Sequence, residues 1–337
     1  MSLLISTFME IRIKKPFTDQ YAMIVESNMM AINLHLTSRS LMRWDFNVLK
    51  VNDNQIEARL ILLENKLLDS NNPIVLDISM VSQLFSKIYS ELHIILNVQG
   101  QVIDVLNKDI IMEKWKDLKS EISDSLENGN IRDIIRLNDG LFSNPDKIKV
   151  AVQANDFIMA YFGNVYGHKM PYKAGVRKTN FFNTTNIDWA FSYKNMGYNK
   201  DAEGIVNIKV EGQPSFYLSR LFYSNAYSQF KDKINIHKLK TELKEEASYH
   251  INETSGHLTE ASIIRHEIAD PERLYVEYSY ELMCNDVFKE KMLVRDLEER
   301  EIEAQQIYRT YRGHEYTKEE WEKMKTNPWT RLEMDKE

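Results

Sequence analysis

The residues best suited to binding are concentrated between positions 163 and 186, where aromatic and basic side chains are interleaved. Aromatic rings can stack on a ligand, cap an apolar cavity or contact a partner protein, and nearby cations add charge. The candidate binding residues are Tyr166, His168, Lys169, Tyr172, Lys173, Arg177, Phe181 and Phe182. A segment whose aromatic side chains fold over a sheet as part of the core would show the same pattern, so that alternative stays open.

Histidines form a second candidate group, because His250 and His257 flank the turn-forming residues 252–256. If that turn closes a hairpin, the two imidazoles could face one another and bind zinc or copper. A metal site needs three or four converging ligands. His266 lies roughly 30 Å further along an extended strand. We therefore predict no metal site and no cofactor, and His250 and His257 remain weak metal candidates only.

Familiar catalytic motifs are missing from the sequence, including nucleophile elbows, Walker loops and H-E-x-x-H. Cys284 ends an apolar run and is expected to be a buried structural thiol. Asp45 and Asp188 lie on the polar face of aromatic strands, and Glu245 lies in a charged stretch, so we expect all three to face water. No catalytic residue is predicted. An enzyme of an unrecognised family stays an alternative, because catalytic groups need not be adjacent in sequence.

Composition limits the classes of partner. The formal charge of −7 and pI near 5.7 argue against general nucleic-acid binding, which needs a clustered positive field. The single cysteine excludes an internal disulfide. The first ten residues lack a basic n-region, and no run of about 18 apolar residues occurs. These features predict a cytoplasmic protein without a transmembrane segment.

Two strand-rich blocks must position the candidate residues. Residues 1–108 show a period-two alternation of apolar and polar residues, for example at Trp44, Phe46 and Val48. This pattern predicts antiparallel hairpins, and a short helix is predicted at 79–90. Residues 187–285 alternate in the same way, most clearly from Leu274 to Leu282. Each block therefore has one face on a core and one face in water.

Helices are predicted between and after these blocks. Residues 109–162 show apolar positions at helical spacing in three pieces, separated near Gly129 and Pro145. Residues 163–186 contain several glycines and a proline, which predict an irregular aromatic and basic loop. Residues 286–337 form a charged helical segment, in which Thr317 and Glu320 have the spacing of a capping box.

The predicted fold class is α+β. Antiparallel β-rich blocks flank a central helical segment, as one curved sheet or half-barrel packed on helices, with a charged C-terminal helix. Residues 1–285 are expected to form one domain. The sequence does not decide whether the two blocks share a sheet.

The order of elements resembles a known family. Residues 92–105 form a strand, the turn Gln99-Gly100-Gln101 and a second strand; helices follow, and another strand block closes. Over roughly residues 1–285 this pattern resembles the LolA lipoprotein carriers of bacterial envelopes. The resemblance implies a half-barrel of antiparallel strands that wraps helices and holds an acyl chain. The chain departs from the family in lacking a signal peptide and a lipobox cysteine, so no functional residue is carried over.

We therefore predict a non-catalytic binding or adaptor protein that engages a protein partner within a larger bacterial assembly. One alternative is a carrier of an apolar ligand, which requires that the helices leave a cavity against the sheet. The other is an enzyme, which requires that His250, His257, Asp45 or Asp188 converge in a pocket. The oligomeric state and the partner's identity are not determined by the sequence.

Overall fold

The computed structural model describes residues 9–125, 129–142, 144–200, 202–305, 307–311, 314–318, 320 and 322–323. The chain divides into two compact units, Met1–Asn285 and Asp286–Glu337.

The first unit contains most of the strands. In chain order they are β1 (Met9–Glu10), β2 (Phe17–Ala31), β3 (Leu34–Val51), β4 (Gln55–Ser70), β5 (Glu91–Asn97), β6 (Val102–Val105), β7 (Lys169–Met170), β8 (Tyr172–Thr179), β9 (Asn186–Tyr198), β10 (Ile205–Pro214), β11 (Glu242–Asn252), β12 (Leu258–Asp270) and β13 (Leu274–Cys284). Its helices are α1 (Pro73–Ser86), α2 (Lys108–Ser125), α3 (Gly129–Phe142), α4 (Pro145–Gln153), α5 (Asp156–Phe162) and α6 (Arg220–Ala226), with 3-10 turns at Ser228–Phe230 and Ile236–Lys238.

Eleven of these strands form one antiparallel sheet in the order β6-β5-β4-β3-β2-β13-β12-β11-β10-β9-β8. The two predicted strand blocks share this sheet because β2 pairs with β13 along its length, from Tyr21 opposite Cys284 to Ala31 opposite Leu274. The sheet is curved and open, with β6 and β8 at its edges. This confirms the predicted α+β class. A separate two-stranded sheet pairs β1 with β7.

Helices cover one face of the sheet, which we call the inner face. Period-two burial along β9 marks this face, since Ile187, Trp189, Phe191 and Tyr193 are buried while the residues between them are more exposed. Against it, α5 packs Phe157, whose ring lies 5.2 Å from that of Phe46. The core therefore lies between the sheet and its helices.

The prediction of an irregular loop over 163–186 was wrong, because β7 and β8 run through it. Gly175 and Pro171 are typical of irregular structure. Gly175 nevertheless lies in β8, an edge strand, where a residue needs ladder bonds on one side only, and Pro171 lies between β7 and β8, where it interrupts neither ladder. The third predicted central helix is also two helices, α4 and α5, separated at Asn155.

The second unit begins within α7 (Asn285–Gln305), followed by β14 (Ile307–Tyr311) and β15 (His314–Thr317), which pair as a hairpin. The hairpin was not predicted within this charged segment. The capping-box contacts are present, since the backbone N–H of Thr317 donates to Glu320 at 2.9 Å and the N–H of Glu320 donates to the Thr317 hydroxyl at 3.3 Å. The rest of the predicted 286–337 helix beyond Lys323 lies outside the described residues. Across the part of the chain that is described, no helix combines the length and apolar character needed to cross a membrane.

Candidate functional site

A cavity of about 1100 Å³ lies between the inner face of the sheet's second half and the helices α4 and α5. Strands β8 to β13 supply its floor and one wall, and the hairpin between β5 and β6 closes part of the opposite side. The helices therefore do not fill the curve of the sheet.

Two neighbouring rows of side chains, each running across five strands, form the floor. The first row pairs, from β9 to β13, Tyr193, Val210, Ala247, Ile263 and Tyr280. Small aliphatic side chains stand at its centre and tyrosines at its ends. The short side chains therefore leave the centre of the floor recessed, and the tyrosine rings rise on either side of it.

The second row lies two residues away on each strand and is partly polar. It pairs Phe191, Gly212, Glu245, Arg265 and Tyr278 in the same strand order. Gly212 makes this row possible, because a Cβ atom there would lie 2.3 Å from the Phe191 ring. The missing side chain lets that ring lie over β10.

The roof comes from α4 and α5, including Ile158, Met159 and Phe162. Asn155 starts α5 by accepting a hydrogen bond from the Phe157 N–H at 3.0 Å. Gly163 ends the helix in the left-handed conformation, with φ of 46°. A Cβ atom at Gly163 would also lie 1.9 Å from the Tyr249 hydroxyl oxygen, so glycine lets the roof approach the floor closely.

Three charged side chains meet inside this cavity. Glu245 Oε2 accepts from Lys178 Nζ at 2.6 Å and from Arg265 Nε at 3.0 Å. Lys178 Nζ also lies 4.8 Å from the ring centroids of both Trp189 and Phe191. The Arg265 guanidinium carbon lies 5.1 Å from the Tyr280 ring. The cluster therefore combines ion pairs with cation–π contacts.

The surrounding protein shifts the pKa values of Lys178, in the cluster, and of Asp156, near it. Burial lowers the pKa of Lys178, because desolvation disfavours the ammonium, although Glu245 opposes this. Burial raises the pKa of the Asp156 carboxyl, which Arg265 partly offsets. Asp156 is nevertheless exposed to solvent. The charged groups of this site therefore lie in a partly dehydrated environment.

The predicted binding residues are divided by the structure. Phe181 lines the cavity, whereas Arg177 only borders it, because its guanidinium lies on the outer face 3.6 Å from Asp188. Tyr172 stacks on Tyr193, with ring centroids 4.2 Å apart, and His168 stacks on Tyr172 at 4.6 Å. These four residues lie at or beside the wall formed by β8.

The other four predicted residues are outside the cavity lining. Tyr166 is fully buried and its hydroxyl donates to the Gly256 carbonyl at 3.1 Å. Phe182 packs edge-on against Tyr227. Lys169 and Lys173 are exposed on β7 and β8. Tyr166 is therefore a core residue, and Phe182 is half-buried against Tyr227.

The suggested pairing of His250 with His257 was wrong. His250 stands opposite Glu260 on the outer face, with its Nδ1 3.6 Å from that carboxylate. His257 Nε2 lies 3.1 Å from Asp19 and 2.9 Å from the Tyr21 hydroxyl. Because His250 pairs with Glu260, it does not face His257 across the hairpin. Among the described residues, no group of three or more histidine, cysteine or carboxylate side chains could hold a metal ion.

The aspartates of the enzyme alternative are also apart. Asp45 lies on β3 in the first half of the sheet, and Asp188 lies exposed on the outer face of β9, 3.6 Å from Arg177. Strand positions this distant in the sheet order cannot bring the two carboxylates to one pocket.

Sequence reasoning missed the polar pair at the centre of the site. Glu245 was expected to be solvated together with Glu246, but only Glu246 points to the outer face. A signal was present, because Glu245 interrupts the apolar inner positions Leu243, Ala247 and Tyr249. Arg265 interrupts the inner positions of β12 in the same way.

Comparisons with known proteins give little further guidance. No family model matches the chain, and no curated protein matches it. One matching solved structure, described as lipid-protein interactions in lipovitellin, is 9% identical with a TM-score of 0.39. The match covers 83% of this chain and 25% of that one, so this chain spans about a quarter of the length of the protein it matches.

Proposed function

We propose that this chain binds an apolar ligand in the cavity between the sheet and α4–α5. The observation that carries the proposal is the unfilled volume of about 1100 Å³ on the inner face. Small-molecule sites in proteins are typically about 300–1,000 Å³ and mainly apolar, with a few polar groups that orient the ligand. The cavity is thus large enough for an elongated apolar molecule.

Apolar side chains that line the cavity remain uncovered, which supports this proposal. Val150 is 67% exposed, Val176 46% and Met159 37%, although all three face the cavity. Covering apolar surface stabilises a complex by roughly 25 cal/mol per Å². An apolar ligand would bury these side chains without any rearrangement of the sheet.

We expect Ala247→Phe to reduce ligand binding, because its larger side chain would stand at the centre of the cavity floor. The matched control is Ala190→Phe, which places the same ring on the outer face of β9. Native mass spectrometry of the gently purified full chain, followed by organic extraction, measures the bound ligand. The wild type and Ala190→Phe should carry an apolar ligand, and Ala247→Phe should carry much less.

Equal occupancy in Ala247→Phe and Ala190→Phe would contradict this location for the ligand. Complete absence of ligand in the wild type, together with no uptake of added fatty acids, esters or alcohols, would contradict the function itself. The adaptor role, the protein partner and the cytoplasmic location stay predictions. The enzyme alternative has lost the residues on which it depended.

A further inference from the structure

We propose that the apolar ligand carries an anionic group, and that this group binds at Arg265 and Lys178. This inference rests on the proposed function and specifies its ligand as an anionic amphipath. A carboxylate or a phosphate monoester would meet the requirement.

The charge of the cavity supports an anionic group. Its lining contains the basic residues Lys149, Lys178 and Arg265 and one acidic residue, Glu245. Arg177 also borders the cavity, but its side chain pairs with Asp188 on the outer face and is not counted. Three positive charges less one negative charge leave an excess of two. Asp156, counted as fully ionised, would still leave an excess of one. The chain as a whole has a formal charge of −7, so the cavity is positive within an acidic protein.

Local pairing points to the same conclusion. Lys178 and Arg265 share one carboxylate oxygen, Glu245 Oε2, so one carboxylate faces two cations. The side chains of Lys178, Arg265 and Glu245 are 30%, 21% and 12% exposed. A charge with so little water around it is stabilised by a counter-ion. A ligand anion would supply the missing negative charge.

The guanidinium of Arg265 is anchored on the floor of the cavity. Its Nε donates to Glu245, and the Tyr280 hydroxyl is a further hydrogen-bonding partner. A planar guanidinium matches carboxylate and phosphate oxygens in a two-pronged arrangement. Lys178 adds a second, compact charge on the β8 side.

The floor fixes the orientation of such a ligand. Arg265 and Glu245 belong to the polar row, and Ala247 and Ile263 belong to the adjacent aliphatic row. An anionic group at Arg265 would therefore place an apolar chain over Val210, Ala247 and Ile263. The two rows together suit a molecule with one charged end.

The test uses the delipidated full chain and three probes below their micellar concentrations: dodecanoate, dodecyl phosphate and methyl dodecanoate. Isothermal titration calorimetry measures each affinity. We expect at least one anionic probe to bind about tenfold more tightly than the neutral ester, since hydrogen bonds to charged groups have this order of strength. The comparison of dodecanoate with dodecyl phosphate distinguishes the two head groups.

Two variants with opposite expected effects locate the head group. Arg265→Gln should weaken the preferred anionic probe about tenfold and leave the ester unchanged. Glu245→Gln should strengthen the anionic probe about threefold, because it removes the competing carboxylate. The control is Arg59→Gln, which breaks an exposed ion pair with Glu91 on the outer face and should change neither affinity. If Arg265→Gln does not fold, as judged by circular dichroism, Glu245→Gln alone decides the question.

Equal binding of the ester and both anions, or no gain with Glu245→Gln, overturns the anionic head group and leaves the proposed function standing. Failure of all three probes to bind wild-type protein overturns the proposed function and this inference together.

Discussion

Glu267 is a fully buried carboxylate beside the cavity, and its hydrogen bonds hold the segment that carries Phe181. Its two oxygens accept from the Asn180 amide at 2.9 Å, the Tyr227 hydroxyl at 2.7 Å, and the backbone N–H groups of Phe181 and Phe182 at 2.7 and 3.2 Å. Such a group satisfies four donors that would otherwise lose water without compensation. Glu267 therefore has a structural role in positioning one wall of the site.

We predict that Glu267→Ala lowers the free energy of unfolding by about 3 kcal/mol or more, because it leaves buried donors unpaired. The matched control is Glu277→Ala on β13, whose carboxylate accepts only a long bond of 3.3 Å from Asn28 among the described residues. The control should cost about 0.5 kcal/mol. Urea denaturation of both variants measures the difference. An equal loss of free energy of unfolding in the two variants would show that the hydrogen bonds of Glu267 stabilise the fold no more than that of Glu277.

Glu267 should also give stability a pH dependence. Burial raises its pKa, although the bonds from Tyr227 and Asn180 oppose the rise. A pKa that is higher in the folded than in the unfolded state means that stabilisation is complete below the ordinary glutamate pKa. It is lost as pH rises through the raised value. The stability of wild type relative to Glu267→Gln should therefore fall over this window, as measured by urea denaturation at a series of pH values. A flat or rising difference would contradict the direction of the shift.

Tertiary contacts stabilise the helix that forms the roof of the cavity. With seven residues, α5 is too short to persist alone in water. Phe157 anchors it on one side, with its ring 5.5 Å from that of Tyr21, while Met159 faces the cavity. One side of α5 thus stabilises the fold and the other forms the site.

We predict that Phe157→Ala lowers the free energy of unfolding by about 3–5 kcal/mol, as is usual for a deleted core aromatic. Met159→Ala, in the same helix, should cost less than about 1 kcal/mol, because its side chain is already partly exposed. Denaturant titration gives both values. If Met159→Ala proved as costly as Phe157→Ala, the cavity-facing side of α5 would be part of the core.

Most helices and strands could be predicted from hydrophobic periodicity and capping residues. The residues that each strand or helix contacts in the folded chain could not. The sequence predicts a loop around β8 because its glycines and proline interrupt any period, whereas the segment forms an edge strand. Arg177 and Phe181 were identified there because cations and aromatics stand out in a sequence. Glu245 and Arg265 were missed because each lies within an ordinary strand pattern, and only their pairing across β11 and β12 brings them together.

The open sheet leaves β6 and β8 with one unpaired edge each, and β8 is also a wall of the cavity. Edge strands present unpaired backbone groups to water, whereas β2, β13 and β12 are paired on both sides. Local opening should therefore begin at these edge strands, β8 included. A ligand that contacts Val176 and Lys178 would oppose that opening.

We predict that amide hydrogens of β8 exchange faster than those of β12 and β13, and that a bound ligand slows exchange in β8 most. Hydrogen–deuterium exchange with mass spectrometry, with and without the preferred probe, measures this. Peptides from β4, in the other half of the sheet, serve as the internal control and should change little. Protection confined to β4 would place the ligand elsewhere in the molecule.

The sequence by itself determined the α+β class, the alternating faces of the strands, the turn at 252–256 and the capping box at Thr317. These features depend on neighbours within a few residues, so local patterns are sufficient to specify them. Only the tertiary structure decided that β2 pairs with β13, with Val25 opposite Tyr280, and that Arg265 stands beside Glu245. A period of two specifies which side chains share a face, but it specifies neither the partner strand nor the register. The cavity and its charged row are products of that pairing.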